Sequence, residues 1–328
     1  MASLKNGWKK GLLIVAVVSV SAFLFLIVGA GMVLLWAMST ADSLGEPTAE
    51  AVTRTIAIAE FLPPEASGAV VQEAGSQATG PLRLSIELQD GTFEIRPGPP
   101  GTDVTVDGDY AAPYYELVEE HGTDRDGRPT TLIALRPTSS MLVRMVATLR
   151  SRGDIPNNLT VTIPEGVPIE LELNLSAGET RTDLGGLTLV DLEADLSMGE
   201  HHLDFSRPLA QQLARAEVSG SMGDVNLENL GNARALEFET SSRMGNFNVD
   251  LGGDWPVETV AELVFNHSMG ELSLNVPESV RIATDSESSV RLGESGDLDV
   301  VEGGADPAAP VVRLHISTTM GETRFRRY

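Results

Sequence analysis

The residue types best placed to do chemistry recur after a glycine. Six segments read Ser176-Ala-Gly-Glu179, Ser197-Met-Gly-Glu200, Ser221-Met-Gly-Asp224, Arg243-Met-Gly-Asn246, Ser268-Met-Gly-Glu271 and Thr319-Met-Gly-Glu322. A degenerate copy, Ser295-Gly-Asp297-Leu-Asp299, falls before the last. Glu179, Glu200, Asp224, Asn246, Glu271, Asp297 and Glu322 thus share one repeat position. On neighbouring strands they would lie ~4.8 Å apart and repel by about 1 kcal/mol per pair at most in water. A divalent cation such as Ca²⁺ would relieve this by taking several carboxylate oxygens. A solvated acidic face needs no cation and keeps the array soluble. It is the favoured reading, because an oxygen cage also needs donors from loops. No metal or cofactor is assigned.

Other candidates are weaker. Met198, Met222, Met244, Met269 and Met320 precede the repeat glycine, half of the 10 methionines in the chain. Thioethers suit Cu(I), but methionine is a common core filler. The alternation Phe238, Thr240, Ser242, Met244 predicts that this column is buried. His201 and His202 are adjacent, and adjacent strand residues face opposite sides, which makes a poor chelate; His267 and His315 stand elsewhere. Asp183, Asp191, Asp195 and Asp204 could supply the carboxylate pair of a polysaccharide-cleaving enzyme. No phosphate-cradling glycine loop, His-Glu-x-x-His or Gly-x-Ser-x-Gly accompanies them. Cysteine is absent, which excludes disulfides, cysteine-liganded metals and cysteine nucleophiles. No catalytic residue is assigned, and the chain is read as non-enzymatic.

The elements that position these residues follow from the repeat. The glycines 178, 199, 223, 245, 270 and 321 are separated by 21, 24, 22, 25 and 51 residues. The degenerate Gly296 splits the last interval, giving seven units of 21–26 residues. Before the motif, residues alternate: Leu192, Ala194, Leu196; Leu236, Phe238, Thr240; Val312, Leu314, Ile316. After it the alternation resumes out of phase, at Leu203 and Phe205, Phe247 and Val249, Leu272 and Leu274. The odd step would flip the face of a continuous strand. The chain must turn a corner at the glycine, which tolerates φ > 0. A strand–corner–strand unit cannot bury its apolar face alone, and stacking like units predicts a β-solenoid, an all-β fold.

Upstream, Leu82, Leu84, Ile86 and Leu88, then Asp90-Gly91, then Phe93 and Ile95 read as a hairpin. Further strands are expected at Val104–Val106, Tyr114–Val118, Thr131–Leu135 and Leu159–Ile163. Residues 138–152 break the pattern. Met141, Leu142, Met145, Val146 and Leu149 recur at helical spacing beside Arg144, Arg150 and Arg152. This basic helix or loop either packs on the end of the β structure or lies on an anionic membrane surface.

Asp90-Gly-Thr-Phe-Glu-Ile-Arg-Pro-Gly98, Leu159-Thr-Val-Thr-Ile-Pro164, Ile169-Glu-Leu-Glu-Leu173 and the Gly-acid-apolar repeats resemble the bacterial toast-rack, or putative-adhesin, family. Its β-solenoid domains also occur in cell-wall-antibiotic stress-response proteins. The resemblance spans roughly residues 80–328 and implies the fold, with no catalytic residues to carry over. The 138–152 insert and the repeated methionine depart from it.

Charge divides the chain. It has 47 acidic and 23 basic residues, a net charge of −24, which argues against nucleic acid as a partner. Lys5, Lys9 and Lys10 are its only lysines and no acid precedes Asp42, so residues 39–328 carry −27. Gly11–Met38 is uncharged for 28 residues, a helix of ~42 Å against a hydrocarbon core of ~30 Å. Trp8 and Trp36 sit near its ends as interfacial anchors. An uncleaved signal anchor fits better than a signal peptide, whose apolar region is about half this length. The lysines place the N-terminus in the cytoplasm and residues 39–328 outside.

The expected order is a basic tail (1–10), a transmembrane anchor (11–38), a flexible linker (39–80), a first β part (81–175) and the repeats (176–328). The expected function is a non-catalytic scaffold or sensor. Its partners would be the lipid bilayer through 11–38 and an envelope protein or cell-wall component. The alternatives are a surface adhesin or self-assembling solenoid, and a polysaccharide-active enzyme.

Overall fold

The computed structural model describes residues 29–45, 47–57, 80–151, 156–256, 260–284 and 309–328. Among the described residues two α-helices, α1 (29–44) and α2 (Met141–Ser151), and a short 3-10 helix (Leu230–Ala233) accompany strands that form one large mixed sheet of 13 strands. The strands are β1 (Glu50–Ile56), β2 (Leu82–Gly98), β3 (Val104–Tyr110), β4 (Tyr115–Thr123), β5 (Pro129–Pro137), β6 (Asn158–Pro164) and β7 (Pro168–Asp183). Then come β8 (Thr188–Asp204), β9 (Arg215–Glu228), β10 (Glu237–Asp250), β11 (Val260–Val276), β12 (Arg281–Thr284) and β13 (Val311–Arg327). The chain divides into two compact units. One holds residues 1–48, 111–115 and 137–155; the other holds the rest.

The second unit is built on parallel pairing in the order β2-β7-β8-β9-β10-β11-β13. The register is set by the glycines: Gly91↔Gly178, Gly178↔Gly199, Gly199↔Gly223, Gly223↔Gly245, Gly245↔Gly270 and Gly270↔Gly321. On each strand the buried parity changes across the glycine. In β10, Phe238, Thr240 and Ser242 are buried before it and Phe247 and Val249 after it. In β11 the buried sets are Ala261, Leu263, Phe265 and His267, then Leu272 and Leu274. The two arms face one interior: a Cβ on Gly220, before the corner of β9, would meet Phe247 Cε2 at 2.7 Å. Each buried Leu or Phe contributes roughly 1.5–3 kcal/mol, so a rung of four or five outweighs the loss of one.

Two physical demands select glycine at the corner. Gly245 has φ of 127°, where an L side chain is strained. A Cβ there would also sit 1.9 Å from the carbonyl oxygen of Gly223 on the rung before. The same overlap recurs at Gly178, Gly199, Gly223 and Gly270, each against the glycine of its neighbour. The glycines therefore stack in direct backbone contact, a requirement that the periodicity does not announce.

The expected hairpin at Asp90-Gly91 is not formed. Leu82–Gly98 is one bent strand, with Asp90 at φ of 59°, and its register continues into β7. A left-handed residue next to glycine suits a corner as well as a hairpin loop. The strand's first arm pairs with β5 and its second with β6, both parallel. Those two strands together cover both arms of β2 as a split rung. Antiparallel β3 continues from β6, and β1 from β3. The repeated architecture thus begins at β2 rather than at residue 176. The degenerate copy at 295–299 lies outside the described residues.

The other unit gathers α1, residues 111–115 and α2. The helix α1 runs six residues past the expected end of the apolar segment, through residue 44. Gly45, at φ of 86°, ends it and donates to the Ala41 carbonyl at 3.2 Å, a left-handed C-terminal cap. The Tyr114 hydroxyl reaches the Gly45 carbonyl at 2.5 Å and that of Ala41 at 3.4 Å. With β1 following, the segment expected as a linker from residue 39 is ordered at 39–44 and 50–56. Among the described residues no helix is long and apolar enough to cross a membrane. Residues 11–28 of the expected anchor lie outside them.

Candidate functional site

The corner of the parallel stack is where the sequence concentrates its repeated side chains. Met244 pairs in register with Met222 on one side and Met269 on the other, and Met269 with Met320. Their expected burial is overturned. Met198, Met222, Met244, Met269 and Met320 are 37–68% exposed. The cause is that the corner starts before the glycine: Arg243 and Met244 are both exposed, so the parity that buries Ser242 has already ended. In β8 the turn is explicit, because Met198 itself is left-handed at φ of 50°. The result is an outward methionine ridge with strands ~4.8 Å apart.

Immediately after the glycines, Glu179, Glu200, Asp224, Asn246, Glu271 and Glu322 stand in register as expected. Asp297 lies outside the described residues. Their repulsion is relieved by protein groups. Arg181 pairs with Glu179 at 3.2 Å and His202 with Glu200 at 3.3 Å. Asn246 donates to Asp224 at 2.9 Å and Ser273 to Glu271 at 2.8 Å. Arg324 bridges Glu271 at 2.7 Å and Glu322 at 2.9 Å. Most partners sit two residues after the acid, on the same outward face. That position carries Arg181, His202, Asn226, Asn248, Ser273 and Arg324. It is itself a hydrogen-bonded ladder, with Asn248 donating to Asn226 at 2.9 Å. The period-2 spacing was available in the sequence as the signal for this second ladder.

Inside the corner the chemistry differs. His201 is buried, with Nδ1 2.9 Å from Thr180 Oγ1 and Nε2 unpartnered. His267 is buried with neither ring nitrogen partnered. Burial holds both below the ordinary histidine pKa, since desolvation disfavours the charged ring. His201 and His202 face opposite sides, as adjacent strand residues must. His315 lies on the outer face, 3.2 Å from Glu262.

The carboxylates considered for hydrolysis are engaged separately. Asp183 accepts from the Gly185 amide at 2.8 Å and the Ser206 hydroxyl at 2.8 Å. Asp195 accepts from Ser219, and Asp204 from Asn229 at 2.8 Å. These bonds staple neighbouring rungs and loops. Asp191 sits beside a register irregularity between β7 and β8. Among the described residues no group of three or more His, Asp or Glu is placed to hold a metal.

Residues 72–228 match the family described as the N-terminal domain of toast_rack, DUF2154. The matched stretch takes in β2 to β9 and the first corners. A solved structure described as a putative cell adhesion protein from Clostridium sporogenes aligns over 86% of this chain and 100% of its own, at 12% identity and a TM-score of 0.42. A putative adhesin from Bacteroides fragilis aligns over 86% and 99%, at 10% identity and a TM-score of 0.35. No curated protein matches the chain. At these scores neither structure carries a functional argument.

Proposed function

We propose that the chain is a membrane-anchored, extracytoplasmic β-solenoid that acts as a non-catalytic scaffold or sensor for an envelope partner. The observation that carries this reading is the exposed methionine ridge, one side chain per rung from β8 to β13, except β12. Methionine surfaces adapt to varied apolar partners, and the glycine stack beneath holds them at fixed pitch. The uncharged run 11–38 behind Lys5, Lys9 and Lys10 supports the anchor and the outside location. Protease added to intact spheroplasts should then remove residues beyond 38 and leave a membrane-bound stub.

One observation favours the adhesin or self-assembling alternative. On the side of β13 away from β11, β12 pairs only with Val311–Leu314. Among the described residues no strand pairs with 316–327 on that side, and an open edge is a template for another chain. Photo-crosslinking residues placed at Met222, Met244 and Met269 in intact cells separate the two. The scaffold reading expects one envelope protein crosslinked from all three ridge positions and not from Glu239 on an arm. Crosslinks only between copies of this chain, or none from the ridge, would overturn it.

A further inference from the structure

The apolar stripe expected on α2, read as packing on the protein or lying on a membrane, is exposed except at Val146. Met141, Leu142, Met145 and Leu149 are 74, 41, 46 and 73% exposed, while Val143, Val146 and Ala147 are buried. The helix is therefore apolar on its covered side and on its open side. In the same compact unit, every residue of α1 from 29 to 36 is exposed, including Met32, Val33, Leu34, Leu35 and Trp36. A helix that is apolar all round and uncovered by protein belongs in lipid. Burial begins at Ala37 and Ala41, so this is where α1 leaves that environment.

Two consecutive tyrosines tie the helices together. Tyr114 holds the end of α1 through the Gly45 and Ala41 carbonyls. The Tyr114 carbonyl accepts from the Thr138 amide at 2.9 Å, just before α2. The Tyr115 ring carries the Arg144 guanidinium 5.5 Å from its centroid, and Arg144 also donates to the Ser139 carbonyl at 2.6 Å. The open face of α2 is thereby fixed to the end of the helix whose other end runs into 18 further uncharged residues, 11–28.

We propose that the open face of α2 lies in the lipid–water interface of the bilayer that α1 enters. The proposal rests on the anchored reading above and adds a second membrane contact to it. A bilayer is the occupant the observations select, because Tyr114 and Tyr115 tie α2, with its open apolar face, to the end of an uncovered apolar helix. Its charge agrees. The stretch 138–152 has three arginines and no acid, in an outer part that otherwise carries a large negative charge. Arginines are attracted to an anionic surface, and an apolar face with basic flanks is the pattern of an interfacial helix.

The natural absence of cysteine makes the test direct. Single cysteines in the full chain, at Met141, Leu149 and Val33, are labelled with an environment-sensitive fluorophore. The chain is reconstituted in phosphatidylethanolamine–phosphatidylglycerol vesicles that carry spin-labelled lipid, shallow or deep. The proposal predicts loss of emission at Met141 and Leu149 with the shallow label, more than with the deep one. It also predicts less loss when phosphatidylcholine replaces phosphatidylglycerol. Val33, about 5 Å inside Trp36 along the helix, should be quenched by either label, and by the deep one more than Met141 and Leu149 are. Quenching at Val33 with water-accessible labels at Met141 and Leu149 would overturn the proposal and leave the anchor standing. No quenching at any site would overturn both. Shielding from aqueous iodide at Met141 and Leu149 without lipid quenching would put a protein on that face, and would also overturn it.

Discussion

Along β10, Phe238, Thr240 and Ser242 point inward, and Met244, which shares their parity, stands exposed. The arms and the corner of one strand obey different constraints. In the arms the pleat alternates side chains, and burial follows period 2. Through the corner, residues 243–246 leave that alternation, and the deciding factor becomes how closely backbone approaches backbone. An alternating pattern therefore cannot be extrapolated across a glycine. The arms should respond to lost volume, and the corner to added volume.

The largest expected effect is at the stacked glycine. Gly245→Ala places a Cβ against the Gly223 carbonyl at a positive φ. Backbone strain and overpacking together should cost about 4 kcal/mol or more. Gly101 also has a positive φ, of 75°, but has open space around it. Gly101→Ala should lose only about 1 kcal/mol. Equal losses in urea unfolding would remove the stacking argument and leave only φ.

Phe247→Ala should follow closely. The ring is 2% exposed and fills the interior opposite Gly220, so its loss should cost about 3–4 kcal/mol. Met244→Ala, three residues away on the ridge, should stay within ~0.5 kcal/mol. A comparable loss at both positions would break the distinction between arm and corner.

Acid should expose the interior histidines. His201 and His267 have pKa values lowered by burial, so the unfolded chain takes up their protons first. Their stabilisation is full above the ordinary value near 6.5 and is lost as pH falls below it. The slope can reach at most about 1.4 kcal/mol per pH unit for each histidine. His267→Leu should flatten that slope between neutral and mildly acidic pH in denaturation curves. An unchanged slope would mean that the ring is solvated in the folded chain.

Much of the repeat was legible because its signals are local. The Met-Gly-acid spacing located the corners, and the parity change required them. The acidic ladder followed from the same register. The direction of Met244 was not legible, because a bulge can begin on either side of a glycine. Nor was the role of Asp90-Gly91, since a left-handed pair serves a hairpin and a bent strand equally. For α2 the sequence left two readings, packed on the protein or lying on a membrane, for a third reason: helical spacing shows that a stripe exists, and only the packing of Val143, Val146 and Ala147 shows which side is covered.

Methionine oxidation tests the outward corner most directly. The folded full chain is treated with dilute hydrogen peroxide, and sulfoxide at each methionine is followed by peptide mass spectrometry beside a urea-unfolded sample. Exposed thioethers oxidise readily. Met198, Met222, Met244, Met269 and Met320 should therefore react in the folded protein nearly as fast as in the unfolded one, with the thermal midpoint little changed. Protection of these five until the protein unfolds would place them inside the stack and contradict the account.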